Sequence, residues 1–221
     1  MEIVHSSNPV SAAADHLARS IKDHLEAGEH VLWLLSGGSG IHVVLAAAKI
    51  LTDTDLTNLS ATLSDERYGK LGHVDENWQQ LLDNDLYLPG ADLYRPLIGK
   101  DRTATSVAFG AWVEQKISTA NYTVGLFGIG SDGHTAGIKP HSNAIETTAW
   151  AAGYIGDDFE RITITPRAIS KLDEAIVQAS GEDKVPVLKQ LLHQDITATE
   201  QPAQMLKSIP KCTLYTNNKE L

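Results

Sequence analysis

Three short segments carry residue types that could do chemistry. The densest is Gly128-Ile129-Gly130-Ser131-Asp132-Gly133-His134-Thr135-Ala136. Its glycines bracket Asp132 and His134, two residues apart. That spacing suits a carboxylate that orients an imidazole, and an imidazole is the usual base near neutral pH. A loop histidine can also be merely solvated, but so many glycines argue for close approach to a ligand. The second segment is Ser36-Gly37-Gly38-Ser39-Gly40. It reads either as a tight turn with a helix cap or as a backbone cradle for an anion at a helix start. It is neither the dinucleotide fingerprint nor a Walker loop, since no G-x-G-x-x-G and no Gly-Lys-Ser/Thr occurs there. The third is Ser64-Asp65-Glu66-Arg67, either a surface ion cluster or a guanidinium fork placed for phosphate.

Each segment follows a short apolar run: Val31–Leu35 (VLWLL), Leu59–Leu63 (LSATL) and Tyr122–Ile129. Such runs predict strands buried on both faces, and ligands of open α/β sheets bind where those strands end. Helices are predicted at Val10–Ala27, Ile41–Leu51, Asp75–Asn84, Thr103–Ala120, Pro166–Ala179 and Lys184–His193, with Pro186 in the first turn of the last. Shorter strands are expected at Trp150–Ile155, Arg161–Thr165 and Lys211–Tyr215, and a long surface loop at Tyr87–Arg102. Strands alternating with helices imply crossover connections and a mostly parallel sheet. With no linker-like stretch, residues 1–221 read as a single α/β domain.

The 221 residues are 42% hydrophobic and 21% charged, ordinary usage for a globular chain. A chain of this length buries roughly 70–75% of its unfolded surface without a staple. The balance of 18 basic and 28 acidic residues leaves a net charge of −10, which argues against nucleic acid or an anionic membrane as partner. A small anionic ligand would need basic residues placed locally. One cysteine, Cys212, permits no intrachain disulfide, and a reducing cytoplasm is the expected location. Met1–Val10 lacks the pattern of a secretory signal, and no apolar stretch approaches a membrane span. The other histidines show no metal-ligand spacing, so no metal site is expected.

In order along the chain, LLSGGSG, SDERYG with Asn77 beyond it, LFGIGSDGHTAGIKP, RITITP, Gly181-Glu182-Asp183-Lys184 and Gln201-Pro202-Ala203 resemble the 6-phosphogluconolactonase family, a relative of glucosamine-6-phosphate deaminase. The resemblance covers essentially the whole chain. It implies a Rossmann-like fold and hydrolysis of 6-phospho-D-glucono-1,5-lactone to 6-phosphogluconate in the oxidative pentose phosphate pathway, with no cofactor. It implies that His134 activates water beside Asp132. Gly37, Gly38 and Ser39 would hold the substrate phosphate, together with Arg67, Arg161 and Lys184. Asp65 is a second proton acceptor or a structural partner in the same site.

The chain departs from the family's pattern in two places. Gly40 stands where a hydroxyl is usual, and Lys139 where HTASLFPG has an apolar residue. The deaminase relative usually has glutamate at the latter position and Asp-Glu-Tyr in place of Asp65-Glu66-Arg67. A proton-shuttling isomerase needs a carboxylate there, so both positions favour the lactonase. A non-catalytic sugar-phosphate sensor is the third reading, although no basic helix-turn-helix pattern accompanies the fold.

Overall fold

A computed structural model describes residues 1–221. Its elements are β1 (Glu2–His5), α1 (Pro9–Glu26), β2 (Val31–Leu35), α2 (Ile41–Ile50), β3 (Leu59–Leu63), β4 (Asp65–Arg67), α3 (Asn77–Asp83), β5 (Asp92–Tyr94), α4 (Arg102–Thr119), β6 (Tyr122–Phe127), β7 (Ala151–Ile155), β8 (Glu160–Ile164), α5 (Pro166–Ile169), β9 (Glu174–Gln178), α6 (Val185–His193) and β10 (Lys211–Thr216). Seven strands form one parallel sheet in the order β1-β10-β9-β6-β2-β3-β5. The doubly covered sheet explains the VLWLL run. Val31, Trp33 and Leu35 enter the core under α1 and α2, while Leu32 and Leu34 enter the opposite core under α4 and α6. Successive strand residues face opposite sides, so a strand between two helical layers is apolar throughout.

Chain order reverses across the sheet between β2 and β6. From β2 the chain moves outward through β3 to β5; from β6 it moves the other way through β9 to β10. Such a reversal leaves a crevice at the strands' carboxyl ends, where α/β proteins bind ligands.

Four features differ from the sequence-based expectation. The helix predicted over Pro166–Ala179 is one turn, α5, followed by the fully buried central strand β9. The apolar run Ala175-Ile176-Val177 fits either period, and burial between β6 and β10 decides it. The loop predicted at Tyr87–Arg102 contains β5 on the sheet edge. β1 adds a further edge strand along β10. Finally, β4, β8 and β7 form a separate antiparallel sheet beside the mostly parallel one.

Candidate active site

A cavity of about 410 Å³ opens at the β2/β6 reversal. The loops after β2, β6 and β9 reach it together with β4 and β8 of the small sheet, which brings Gly37, Gly38, Ser39, Asp65, Arg67, His134, Arg161 and Lys184 onto one set of walls. Gly38–Gly40 form a 3-10 turn that runs into α2, so the first N–H groups of that continuous helix lack partners within it.

His134 Nδ1 lies 2.6 Å from Asp132 Oδ1, and the His134 backbone N–H donates to the same oxygen at 3.1 Å. Burial raises the Asp132 pKa, but these contacts and Lys139 outweigh it and bring the carboxyl down to about 2. A carboxylate only accepts. Nδ1 therefore carries the shared hydrogen, and in the neutral ring the free lone pair is on Nε2. The pair lies against Gly130, where any Cβ would overlap the His134 ring. Gly130 thus explains part of the glycine density in this loop. The imidazole is 32% exposed, so solvent can reach it.

The DER strand divides its three side chains. Asp65 faces the cavity and pairs with Arg161 Nη1 at 3.4 Å. Glu66 is wholly buried and accepts backbone N–H bonds from Arg67, Asn77 and Trp78 at 2.7, 2.6 and 2.9 Å. Burial pushes its carboxyl up to about 8 against these three donors; its place is to fasten β4 to the start of α3. Arg67 donates to the Asp75 carbonyl at 3.2 Å and forms no ion pair. Arg67 and Arg161 are register partners across β4 and β8, and both guanidinium groups lie by the Phe159 ring, 5.0 and 5.7 Å from its centroid. The buried Nε atoms of both arginines lack partners.

Asn77 is buried in the cavity wall. Its Nδ2 donates to the Asp65 carbonyl at 3.2 Å, and its Oδ1 is unpartnered. Its amide fills the space beside Gly37 that a Cβ would need. His73 instead sits behind the strand, with Nε2 3.0 Å from the Arg67 carbonyl. Gln178, Ser180 and His42 complete the wall and were not singled out from sequence. The first two could have been found only by recognising β9. At Gly40, a Cβ would lie 2.6 Å from Ser36 Cβ and Oγ, so Ser36 occupies the space of the missing side chain. Lys139 points away from the cavity and bonds Asp132 Oδ2 at 3.2 Å. No group of three or more His, Cys, Asp or Glu side chains is arranged to hold a metal ion.

Fold and site together define a Rossmann-like α/β protein with a cationic cavity and a His–Asp pair at its switch point. A family model described as Glucosamine-6-phosphate isomerases/6-phosphogluconolactonase matches residues 5–214, and the chain belongs to that family. It is 29% identical over 198 residues to a 6-phosphogluconolactonase of Mycobacterium leprae, covering 81% of this chain and 79% of the relative. It is 28% identical over 208 residues to one of Neisseria meningitidis, covering 86% and 88%. Among solved structures, the 6-phosphogluconolactonase of Thermotoga maritima superposes with a TM-score of 0.80 at 18% identity, over 97% of both chains. A monomeric glucosamine-6-phosphate deaminase superposes with a TM-score of 0.78 at 16% identity, over 98% and 97%. The fold is therefore shared with both of these proteins.

Proposed function

We propose that this chain is a 6-phosphogluconolactonase, hydrolysing 6-phospho-D-glucono-1,5-lactone to 6-phospho-D-gluconate in the oxidative pentose phosphate pathway. One observation carries the reading: His134, held by Asp132 from behind, lines the same cavity as Arg67, Arg161 and Lys184. An imidazole and clustered cations lining one cavity suit a substrate with an electrophilic carbonyl and a phosphate dianion.

Neutral His134 takes a proton from water through Nε2 as the water oxygen bonds to C1. Asp132 fixes the ring tautomer and stabilises the imidazolium that forms. The C1–ring oxygen bond of the tetrahedral intermediate then breaks, and His134 returns the proton to the departing oxygen. The new carboxylic acid releases its proton to solvent. General-base help of this kind is worth ~10²–10⁴-fold. Gly37, Gly38 and Ser39 offer backbone N–H groups, and Arg67 and Lys184 offer charge. Binding the phosphate there positions the lactone for attack. Arg161 lines the same cavity with part of its charge met by Asp65 and Asp158, and Asp65 serves as its counter-ion.

Lys139 speaks against the deaminase reading, since a cation lies beside the dyad where that chemistry needs a proton acceptor. The substrate is a small sugar phosphate, not nucleic acid. A cytoplasmic location goes with this reading, in keeping with the single buried thiol of Cys212. No helix is long and apolar enough to cross a membrane. The test generates the lactone in situ and follows its loss above the spontaneous background, with ammonia release from glucosamine 6-phosphate measured in parallel. Lactone loss without ammonia is expected. Ammonia release alone would favour the deaminase, and binding without either reaction would favour the sensor.

A further inference from the structure

We propose that Lys139 is a positioning residue for the catalytic pair, gripping Asp132 from behind while His134 holds its front. The inference rests on the lactonase reading above. Asp132 and Lys139 both line a second cavity, of about 680 Å³, whereas His134 lines the first. Asp132 therefore stands between the two cavities, and its Oδ2 is exposed from behind unless something holds it. Lys139 Nζ lies 3.2 Å from that oxygen, 3.5 Å from Asp158 Oδ2 and 3.7 Å from Asp157 Oδ1. Its backbone N–H donates to the Tyr154 hydroxyl at 3.2 Å, and that hydroxyl donates to the Gly137 carbonyl. The lysine thus springs from a segment anchored on β7, and its side chain is only 18% exposed.

Asp158 also accepts from Arg161 Nη2 at 2.8 Å. Charges therefore alternate along one line: His134 when protonated, Asp132, Lys139, Asp158, Arg161 and Asp65. Burial draws the Lys139 pKa down, but Asp132, Asp158 and Asp157 more than restore it, so the cation persists. It does two things. It restrains rotation of the Asp132 carboxylate, keeping Oδ1 on Nδ1. It also sets a positive charge on the far side of the carboxylate that holds the ring. The other charged groups on the cavity wall are Asp65, Arg67, Arg161, Lys184 and His42, and none changes in the variants below.

Full-length wild type, K139M, K139Q and K139R are compared for lactone hydrolysis from about pH 5 to 8, the range in which histidine titrates. K139M is expected to lower kcat about tenfold with KM near wild type, and to move the acid limb of the kcat profile upward by about half a unit. K139Q can still donate to Oδ2, so it should recover much of kcat yet keep the displaced limb. K139R should restore both. Imidazole nitrogen NMR needs no turnover and should show His134 titrating at higher pH in K139M and K139Q than in wild type. An unmoved limb and an unmoved ring titration would overturn the proposal, as would an equal loss of kcat in K139R. If K139M does not fold, K139Q against K139R separates the same outcomes. If the wild type fails to hydrolyse the lactone, the activity reading falls, and the NMR comparison still decides the place of Lys139.

Discussion

Arg67 and Arg161 stand directly opposite each other in the β4–β8 pair. Like charges so placed repel, and only Arg161 has carboxylate partners, at Asp65 and Asp158. An anion between the guanidinium groups would relieve the arrangement. Inorganic phosphate should therefore raise the melting temperature of the wild type by mass action and raise that of Arg67→Ala much less. The same substitution should raise KM for the phosphorylated lactone by roughly 10–100-fold, the loss of ~1.5–3 kcal/mol from a hydrogen bond to a charged group, with kcat little changed. Equal phosphate stabilisation of both proteins would remove Arg67 from the anion cradle.

His134→Ala should act in the opposite sense. It removes the base and leaves the phosphate contacts, so kcat should fall by ~10²–10⁴-fold while KM stays within a few-fold. Asp132→Asn should also lower kcat, because an amide can present its N–H to Nδ1 and favour the wrong tautomer. Steady-state kinetics on the in-situ substrate measure both, and near-wild-type turnover in His134→Ala would end the proposed mechanism.

Gly130→Ala tests whether the pair needs its seat. A Cβ at Gly130 would overlap the His134 ring and lie 2.5 Å from Asp132 Oδ1. Gly130 does not have a positive φ, so alanine fits the backbone and the strain falls on the dyad. We expect kcat to drop at least tenfold, a displacement effect, with stability within about 1–2 kcal/mol of wild type. Unchanged kcat in a folded variant would mean that the loop yields without moving the ring.

Much of this site was legible because two of its loops follow apolar strands and are rich in glycine. Ser36–Gly40 and Gly128–Ala136 could be placed on the sheet's carboxyl edge from local pattern alone. The pairing of Arg67 with Arg161 could not, because it depends on antiparallel register between segments distant in sequence. β4 and β5 have three residues each, too few to establish a period. Glu174–Gln178 failed differently. Its apolar residues suit helix or strand, and the segment Ser170–Asp173 that separates it from α5 carries neither glycine nor proline. Lys139 was visible as a departure from the family pattern, but its direction, toward Asp132 and away from the cavity, depends on tertiary structure.

A carboxylate on β9 links folding to acid pH. Glu174, at the amino end of β9, is 3% exposed. The Tyr122 hydroxyl donates to its Oε2 at 2.5 Å, and His16 Nε2 lies 3.2 Å from its Oε1. Burial alone would raise the carboxyl, but the bonds from His16, Tyr122 and Ser20 bring it down to about 2 from an ordinary 4.5. A depressed folded-state value means that the ionised form is favoured by folding. Its contribution is complete above about pH 4.5 and disappears as the pH falls toward 2. Glu174→Gln should therefore be less stable than wild type at neutral pH by roughly 1–3 kcal/mol, the cost of weakening hydrogen bonds to a buried charged group. The two stability curves should converge between about pH 4.5 and 2. Denaturant melts at a series of pH values measure the gap. Curves that stay parallel through that window would show that Glu174 titrates alike in the folded and unfolded chain. Glu174 lies at the end of β9 away from the cavity, so the substitution should leave kcat at pH 7 unchanged and separate acid stability from catalysis.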